Sequence, residues 1–273
     1  MLDSLNNTVT WLNNKGLKAI GEIPLAVVCG SGLAQVVDNY IDKQHVWSYA
    51  DIPDFPATTV SGHGGELILG KFERSGVPVL IFSGRIHLYE GISADELLFQ
   101  VRLVKALNIK KLLLTCSVGS ILKQTPPGSL GLITDHIDFQ IMNAKEPQVE
   151  NSRMIYPIYD REFCELLLSS SLKAGLILTK GIFCSVLGPT YETPAEVNML
   201  RGYGCSWVSM STTKEACEGK RLGLRVAGIT GISNVMKAVH GPSETTHEEV
   251  LTASIESSDK LWKLLSEASF ENS

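Results

Sequence analysis

The chain has 273 residues, with 24 Lys and Arg against 29 Asp and Glu for a formal charge of −5, and 44% of it is hydrophobic. That composition excludes disorder, collagen-like repeats and a compact disulfide scaffold. The mild acidic balance also argues against a broad nucleic-acid face, which needs clustered Lys and Arg, while leaving room for a local basic pocket.

In chain order, the N-terminal run MLDSLNNTVTWLNNKG has an early Asp and several Asn, without the basic-then-apolar layout of a secretory leader. No stretch approaches the roughly 18 to 20 apolar residues of a membrane-spanning helix. A cytoplasmic protein with no membrane or nucleic-acid partner is expected. Short apolar runs with β-branched content then read as strands. They are LAVVCG from Leu25, GELILGKF from Gly65, VPVLIFS from Val77 and KLLLTCS from Lys111. GLITDHI from Gly131, GIFCSVLG from Gly181, WVSMS from Trp207 and LRVAGIT from Leu224 continue the series.

Amphipathic segments lie between them. SADELLFQVRLVKALN opens with Ser93 and Glu96 at capping-box spacing and sets Leu97, Val101 and Val104 on one face. REFCELLLSSSLKAG, TPAEVNMLRGYG and the C-terminal TTHEEVLTASIESSDKLWKLLSEA follow the same pattern. The alternation predicts an α/β fold: a single domain over residues 1–273, with a mixed, largely parallel twisted sheet flanked by helices. The polar stretch from Asn143 to Pro157 is expected to be a loop or linker. Six cysteines, at positions 29, 116, 164, 184, 205 and 217, form no C-x-x-C pair and read as reduced, mostly buried side chains.

In such sheets chemistry gathers on loops leaving the carboxyl ends of strands. Gly30-Ser31-Gly32 follows the first strand, where two glycines permit a tight turn and N–H groups and a hydroxyl can meet an anion; a plain strand-to-helix turn is the competing reading. His63 sits between Gly62 and Gly64, which leaves its ring approachable; a merely solvent-facing loop histidine is the competing reading. Arg85 and His87 share a face of an extended segment, with Glu90 near enough to orient one of them; a surface Arg–Glu pair is the alternative. In Gly188-Pro189-Thr190-Tyr191-Glu192, a rigid turn precedes an aromatic ring for stacking and a carboxylate able to accept from a heterocycle edge or to cap the next helix. Asn234 follows Ser233 at a strand tip, and His247 opens the last helix, where a capping role is equally natural. No H-E-x-x-H, no His/Cys cluster at metal spacing and no G-x-S-x-G elbow occurs.

Taken together, CGSGL at Cys29, IPDFPATTVSGHGG at Ile52, GRIHLYEG at Gly84, GPTYETPAE at Gly188, MST at Met210 and HEEVL at His247 resemble the trimeric, low-molecular-mass purine nucleoside phosphorylases. The resemblance implies a homotrimeric pentosyltransferase of purine salvage, with no cofactor and inorganic phosphate as co-substrate. It would split inosine, guanosine and their deoxy forms into free base and (deoxy)ribose 1-phosphate. Carried over by position, it implies a phosphate cradle of Ser31, His63, Arg85, His87, Ser117 and Ser211, and ribose contacts from Tyr89, Met210 and His247. It also implies base contacts from Tyr191, Glu192, Asn234, Val118 and Ser209, with Asn234, His87 and Glu192 closest to the chemistry.

This chain has Cys116-Ser117-Val118-Gly119-Ser120 and Ser209-Met210-Ser211-Thr212-Thr213-Lys214-Glu215 where the family usually shows Asn-Ala-Ala-Gly-Gly and Gly-Met-Ser-Thr-Val-Pro-Glu, and its stretch from Asn143 to Pro157 is shortened. These departures surround the nucleoside. They predict retained phosphate binding with a shifted nucleoside preference, or a catalytically weak paralogue that still binds.

Overall fold

The computed structural model describes residues 2–56, 65–140, 156–236 and 247–270. All eight expected strands form: β1 (Leu25–Cys29), β3 (Glu66–Phe72), β4 (Pro78–Ser83), β5 (Lys111–Ser120), β6 (Leu130–Asp138), β7 (Leu178–Ser185), β8 (Trp207–Ser209) and β9 (Arg225–Val235). One more, β2 (Ile41–Ser48), pairs antiparallel with β3 and has a register irregularity between Lys43 and His45. Its polar centre, Asp42 to His45, hides the strand from an apolar-run reading.

The helices are α1 (Leu2–Asn14), α2 (Ala94–Leu97), α3 (Phe99–Ala106), α4 (Arg161–Lys173), α5 (Pro194–Gly202), α6 (Thr213–Arg221) and α7 (His247–Ser266). The capping box expected at Ser93 and Glu96 is present at the start of α2. The SADELL segment nevertheless breaks at Leu98 into two helices. The helix considered after the first strand does not form: a succession of turns ends in a 3₁₀ turn at Val37–Asn39. Among the described residues no helix is long and apolar enough to cross a membrane. All six cysteines are free, with Cys29, Cys116, Cys184 and Cys205 buried, Cys164 partly buried and Cys217 exposed.

The sheet runs β2-β3-β4-β1-β5-β8-β7-β6-β9, and β9 also pairs with β5. The last five strands therefore close into a ring while the first four extend from it as an open wing. Pairing is parallel between β1 and both β4 and β5, β5 and β9, β6 and β7, and β7 and β8. It is antiparallel between β2 and β3, β3 and β4, β5 and β8, and β6 and β9. The sheet is thus mixed, as expected, but its antiparallel share is larger than the strand–helix alternation suggested. The closure itself leaves no mark in any single strand's pattern.

Alternation along β1 sends Ala26 and Val28 into one apolar layer and Leu25, Val27 and Cys29 into the other. Both faces are covered, which is why the central strands read as continuous apolar runs. Within the ring, Trp207 of β8 is fully buried and lies against Gly181 and Gly131. A Cβ at Gly131 would stand 2.5 Å from both Trp207 Cη2 and Thr230 Oγ1, so β6 can approach the indole only because that position has no side chain. Gly131→Ala is therefore expected to destabilise the protein by about 1–3 kcal/mol through overpacking, read as a lowered melting temperature. An unchanged melting temperature would show that the ring has slack at this contact.

Candidate active site

The chain beyond β4 carries Arg85, whose side chain is 1% exposed, so the surface ion pair considered from sequence is not what forms. Its guanidinium is the hub of the region. Nη2 donates to the carbonyls of Thr115 (2.7 Å) and Val28 (3.4 Å), joining the middle of β5 to the end of β1. Nη1 donates to Ser211 Oγ and Thr212 Oγ1, both at 2.8 Å. The carboxylate facing it is Glu215, 3.6 Å away and equally buried, rather than Glu90. A planar fork suits this task because four acceptors lie around one rigid, permanently charged group.

The segment that Arg85 holds is strained. Thr212 has φ +81°, an outlier for a β-branched residue, and the Thr213 N–H donates to the Ser211 carbonyl at 3.0 Å, closing a three-residue turn just before α6. Such a conformation costs of order 1–3 kcal/mol and persists only where its surroundings over-determine it. Ser185 Oγ adds a bond to the Ser211 carbonyl at 3.1 Å. Ser211 Oγ accepts from Arg85 and lies 3.2 Å from Thr212 Oγ1, where either hydroxyl can be the donor.

Glu90 instead serves His87: its Oε1 accepts from the His87 backbone N–H at 2.7 Å and stands 3.5 Å from Nδ1. The imidazole stacks on Tyr89, ring centroids 4.9 Å apart and 15° from parallel. Burial raises the Tyr89 phenol pKa, with Glu90 and the nearby Tyr191 adding to the shift.

Gly30 explains how β1 and β5 come so close: a Cβ there would lie 2.7 Å from the Cys116 Cα and 2.9 Å from the Thr115 carbonyl oxygen. Its N–H donates to Thr115 Oγ1, which in turn donates to the Val28 carbonyl. Ser31 is exposed just beyond it.

Other expected site residues adjoin this hub. Ser209 Oγ donates to the Ser117 carbonyl at 2.9 Å. Met210 packs under the turn at Gly188, where a Cβ would lie 2.9 Å from Met210 Cγ and φ is +75°. Asn234 stands opposite Gly119 in the β5–β9 register, and its Oδ1 lies 2.8 Å from Ser233 Oγ, which also bonds the Val118 carbonyl. Val118 is 1% exposed and belongs to the apolar layer, so its added bulk fills the core. Tyr191 is 87% exposed.

The helix-capping role weighed for Glu192 belongs to its neighbours: Thr193 caps α5, with Glu196 completing the box. Glu192 is left half-buried, and burial raises its carboxyl pKa, with Glu196 adding to the shift and a backbone N–H opposing it. His63 and the side chain of His247 lie outside the described residues, as does most of the 143–157 stretch, although His247 does open α7. Thr115, Thr212 and Glu215 carried no expected role. Their only sequence signal is position, at strand ends or within the divergent 209–215 run. Among the described residues no cluster of three or more His, Cys, Asp or Glu is placed to hold a metal ion.

The chain matches the family model described as the phosphorylase superfamily over residues 24–269. It is 36% identical over 238 residues to purine nucleoside phosphorylase 1 of Bacillus subtilis, covering 83% of this chain and 84% of that protein. The chain belongs to the purine nucleoside phosphorylase family. The bovine purine nucleoside phosphorylase is 32% identical over 253 residues, 89% of this chain and 86% of its own. The crystal structure of the Schistosoma mansoni purine nucleoside phosphorylase in complex with adenosine superposes with a TM-score of 0.84 at 28% identity, covering 97% of this chain and 95% of that one. As in that relative, the phosphorylase fold extends over nearly the whole chain.

Two outcomes test this geometry. Arg85→Met strands a buried Glu215 and four acceptors, which is expected to cost about 3–5 kcal/mol; adding Glu215→Gln should recover part of the lost melting temperature. An unaffected Arg85→Met protein would contradict the hub. For Glu192, a raised folded-state pKa means that its stabilising contribution is present below the unfolded value and lost as pH rises through the folded one. Glu192→Gln should therefore melt higher than the parent at pH 7, with the difference vanishing by pH 4. The same difference at both pH values would show that charge burial is not its cause.

Proposed function

We propose that residues 1–273 act as one nucleoside phosphorylase domain that catalyses phosphorolysis of purine nucleosides. The favoured substrates are the 6-oxopurine nucleosides inosine and guanosine and their deoxy forms, and the products are free base and (deoxy)ribose 1-phosphate for purine salvage. The observation that carries this reading is a buried, anchored cation with one nitrogen bonded to the Ser211 and Thr212 hydroxyls, where the end of β1 meets the middle of β5. In an acidic chain, that is where an inorganic dianion gains most.

Phosphate, held by Ser211, Arg85, His87, Ser31, His63 and the Ser117 backbone, attacks C1′ from below the sugar. Glycosidic cleavage passes through an oxocarbenium-like state, and the dianion itself stabilises the developing ribosyl cation. No second carboxylate is needed on that side. Tyr89, Met210 and His247 contact the ribose, and Tyr191 stacks on the base.

Glu192 accepts from the N1–H edge as a carboxylate, so ligand binding recovers the cost of ionising a half-buried acid. The Asn234 amide donates to the purine as charge accumulates there, a contact that strengthens towards the transition state. Ser209 lines the base side through its bond to the Ser117 carbonyl, while Val118 contributes through its backbone. A homotrimer in the cytoplasm is the expected form. Leu187, Tyr191, Met199 and Tyr203, all exposed on α5 or just before and after it, supply apolar surface that a subunit border would cover.

The test is base release from inosine, guanosine, adenosine and a pyrimidine nucleoside, with and without phosphate. Phosphate-dependent hypoxanthine release from inosine is the expected result. Release only from other nucleosides would support the reading of a shifted preference. No release from any of them would overturn the enzymatic reading in favour of a binding paralogue.

A further inference from the structure

We propose that Gln140, acting with Asp138, is a positioning residue that holds the strained Ser211 turn in its phosphate-binding form; the proposal rests on the phosphorolytic reading above. Gln140 lies two residues beyond β6 and is 3% exposed. Its Nε2 donates to the carbonyls of Met210 (2.9 Å) and Val186 (3.3 Å). Both partners can only accept, which assigns the amide orientation. Oε1 is thereby turned to Thr213, whose Oγ1 lies 3.5 Å away. Asp138 supports the glutamine from behind, accepting its backbone N–H at 2.8 Å, and pairs with Lys214 at 3.2 Å.

The grip therefore falls on both sides of Thr212: on Met210 before it, and on Thr213 and Lys214 after it. A residue at φ +81° relaxes to an ordinary conformation unless its neighbours are fixed. Arg85 fixes the Ser211 and Thr212 hydroxyls, but a hydroxyl rotates about its own side-chain bond and does not by itself restrain the backbone. Ser185 restrains the Ser211 carbonyl, and Gln140 adds a restraint on the backbone before it, tying the Met210 segment to the end of β7 through Val186. Neither Gln140 nor Asp138 need touch the nucleoside or the phosphate.

The test is a double-mutant cycle on Gln140→Met and Ser211→Ala, reading the KM for phosphate, kcat and the melting shift produced by inorganic phosphate. Methionine keeps the volume and removes the donors. Gln140→Met is expected to raise the phosphate KM about tenfold and shrink the phosphate-induced melting shift, with a smaller effect on kcat. In the Ser211→Ala background the same change should cost less than about twofold, because its effect runs through Ser211. Equal losses in both backgrounds overturn the proposal, as does a lowered melting temperature with an unchanged phosphate KM. Should Gln140→Met fail to fold, Asp138→Asn in the same cycle decides: it keeps an acceptor for Gln140 and loses the Lys214 pair. A wild type that is stabilised by phosphate but releases no base would sink the phosphorolytic reading alone, since the melting shifts still report whether Gln140 and Ser211 act together.

Discussion

The organisation of the site depends on one buried guanidinium. Removing Arg85 from water carries a large desolvation penalty, offset only where opposite charge and hydrogen-bond acceptors are fixed around it. Here the carbonyls of Val28 and Thr115, the hydroxyls of Ser211 and Thr212 and the carboxylate of Glu215 do so. Each comes from a different part of the sheet or from the start of α6. Their geometry in turn requires β1 and β5 to touch at Gly30, where a side chain would strike the Cys116 backbone. The glycine next to the first strand thus acts through close approach of two strands.

Much of this was legible in the sequence, and the part that was not has physical reasons. Strands such as VPVLIFS and KLLLTCS are buried on both faces, so their composition alone betrays them, and the local capping chemistry of Ser93 and Glu96 survives intact. β2 leaves no apolar run because its outward face, Asp42, Gln44, Val46 and Ser48, is mostly polar. Ring closure, and the place of Trp207 against Gly131, depend on residues far apart in the chain, which leave no local pattern. The site followed the same rule. Arg85, His87, Glu192 and Asn234 stood out as polar residues at strand ends. Glu90 orients His87, one of the two residues within its reach in sequence, whereas the carboxylate of Arg85 is Glu215, near only in space.

Charge explains how an acidic chain can be suited to an anionic co-substrate. The formal charge of −5 belongs to the whole chain, whereas Arg85 is shielded from solvent and aimed by its partners. Glu192 and Thr212 show the reverse side of the same design. A carboxyl held half out of water and a threonine in a left-handed conformation are each unfavourable in the empty protein. In the function proposed above, a nucleoside and phosphate would offset both costs, in keeping with the stability cost of preorganised sites.

The most direct test of this account is a crystal structure of the protein with inorganic phosphate bound. The anion is expected within hydrogen-bonding distance of Ser211 Oγ, over the positively charged Arg85 hub, with the Arg85 Nη2 bond to the Thr115 carbonyl and the positive φ of Thr212 both retained. Phosphate bound away from Ser211, or an Arg85 side chain swung free of Thr115, would contradict it.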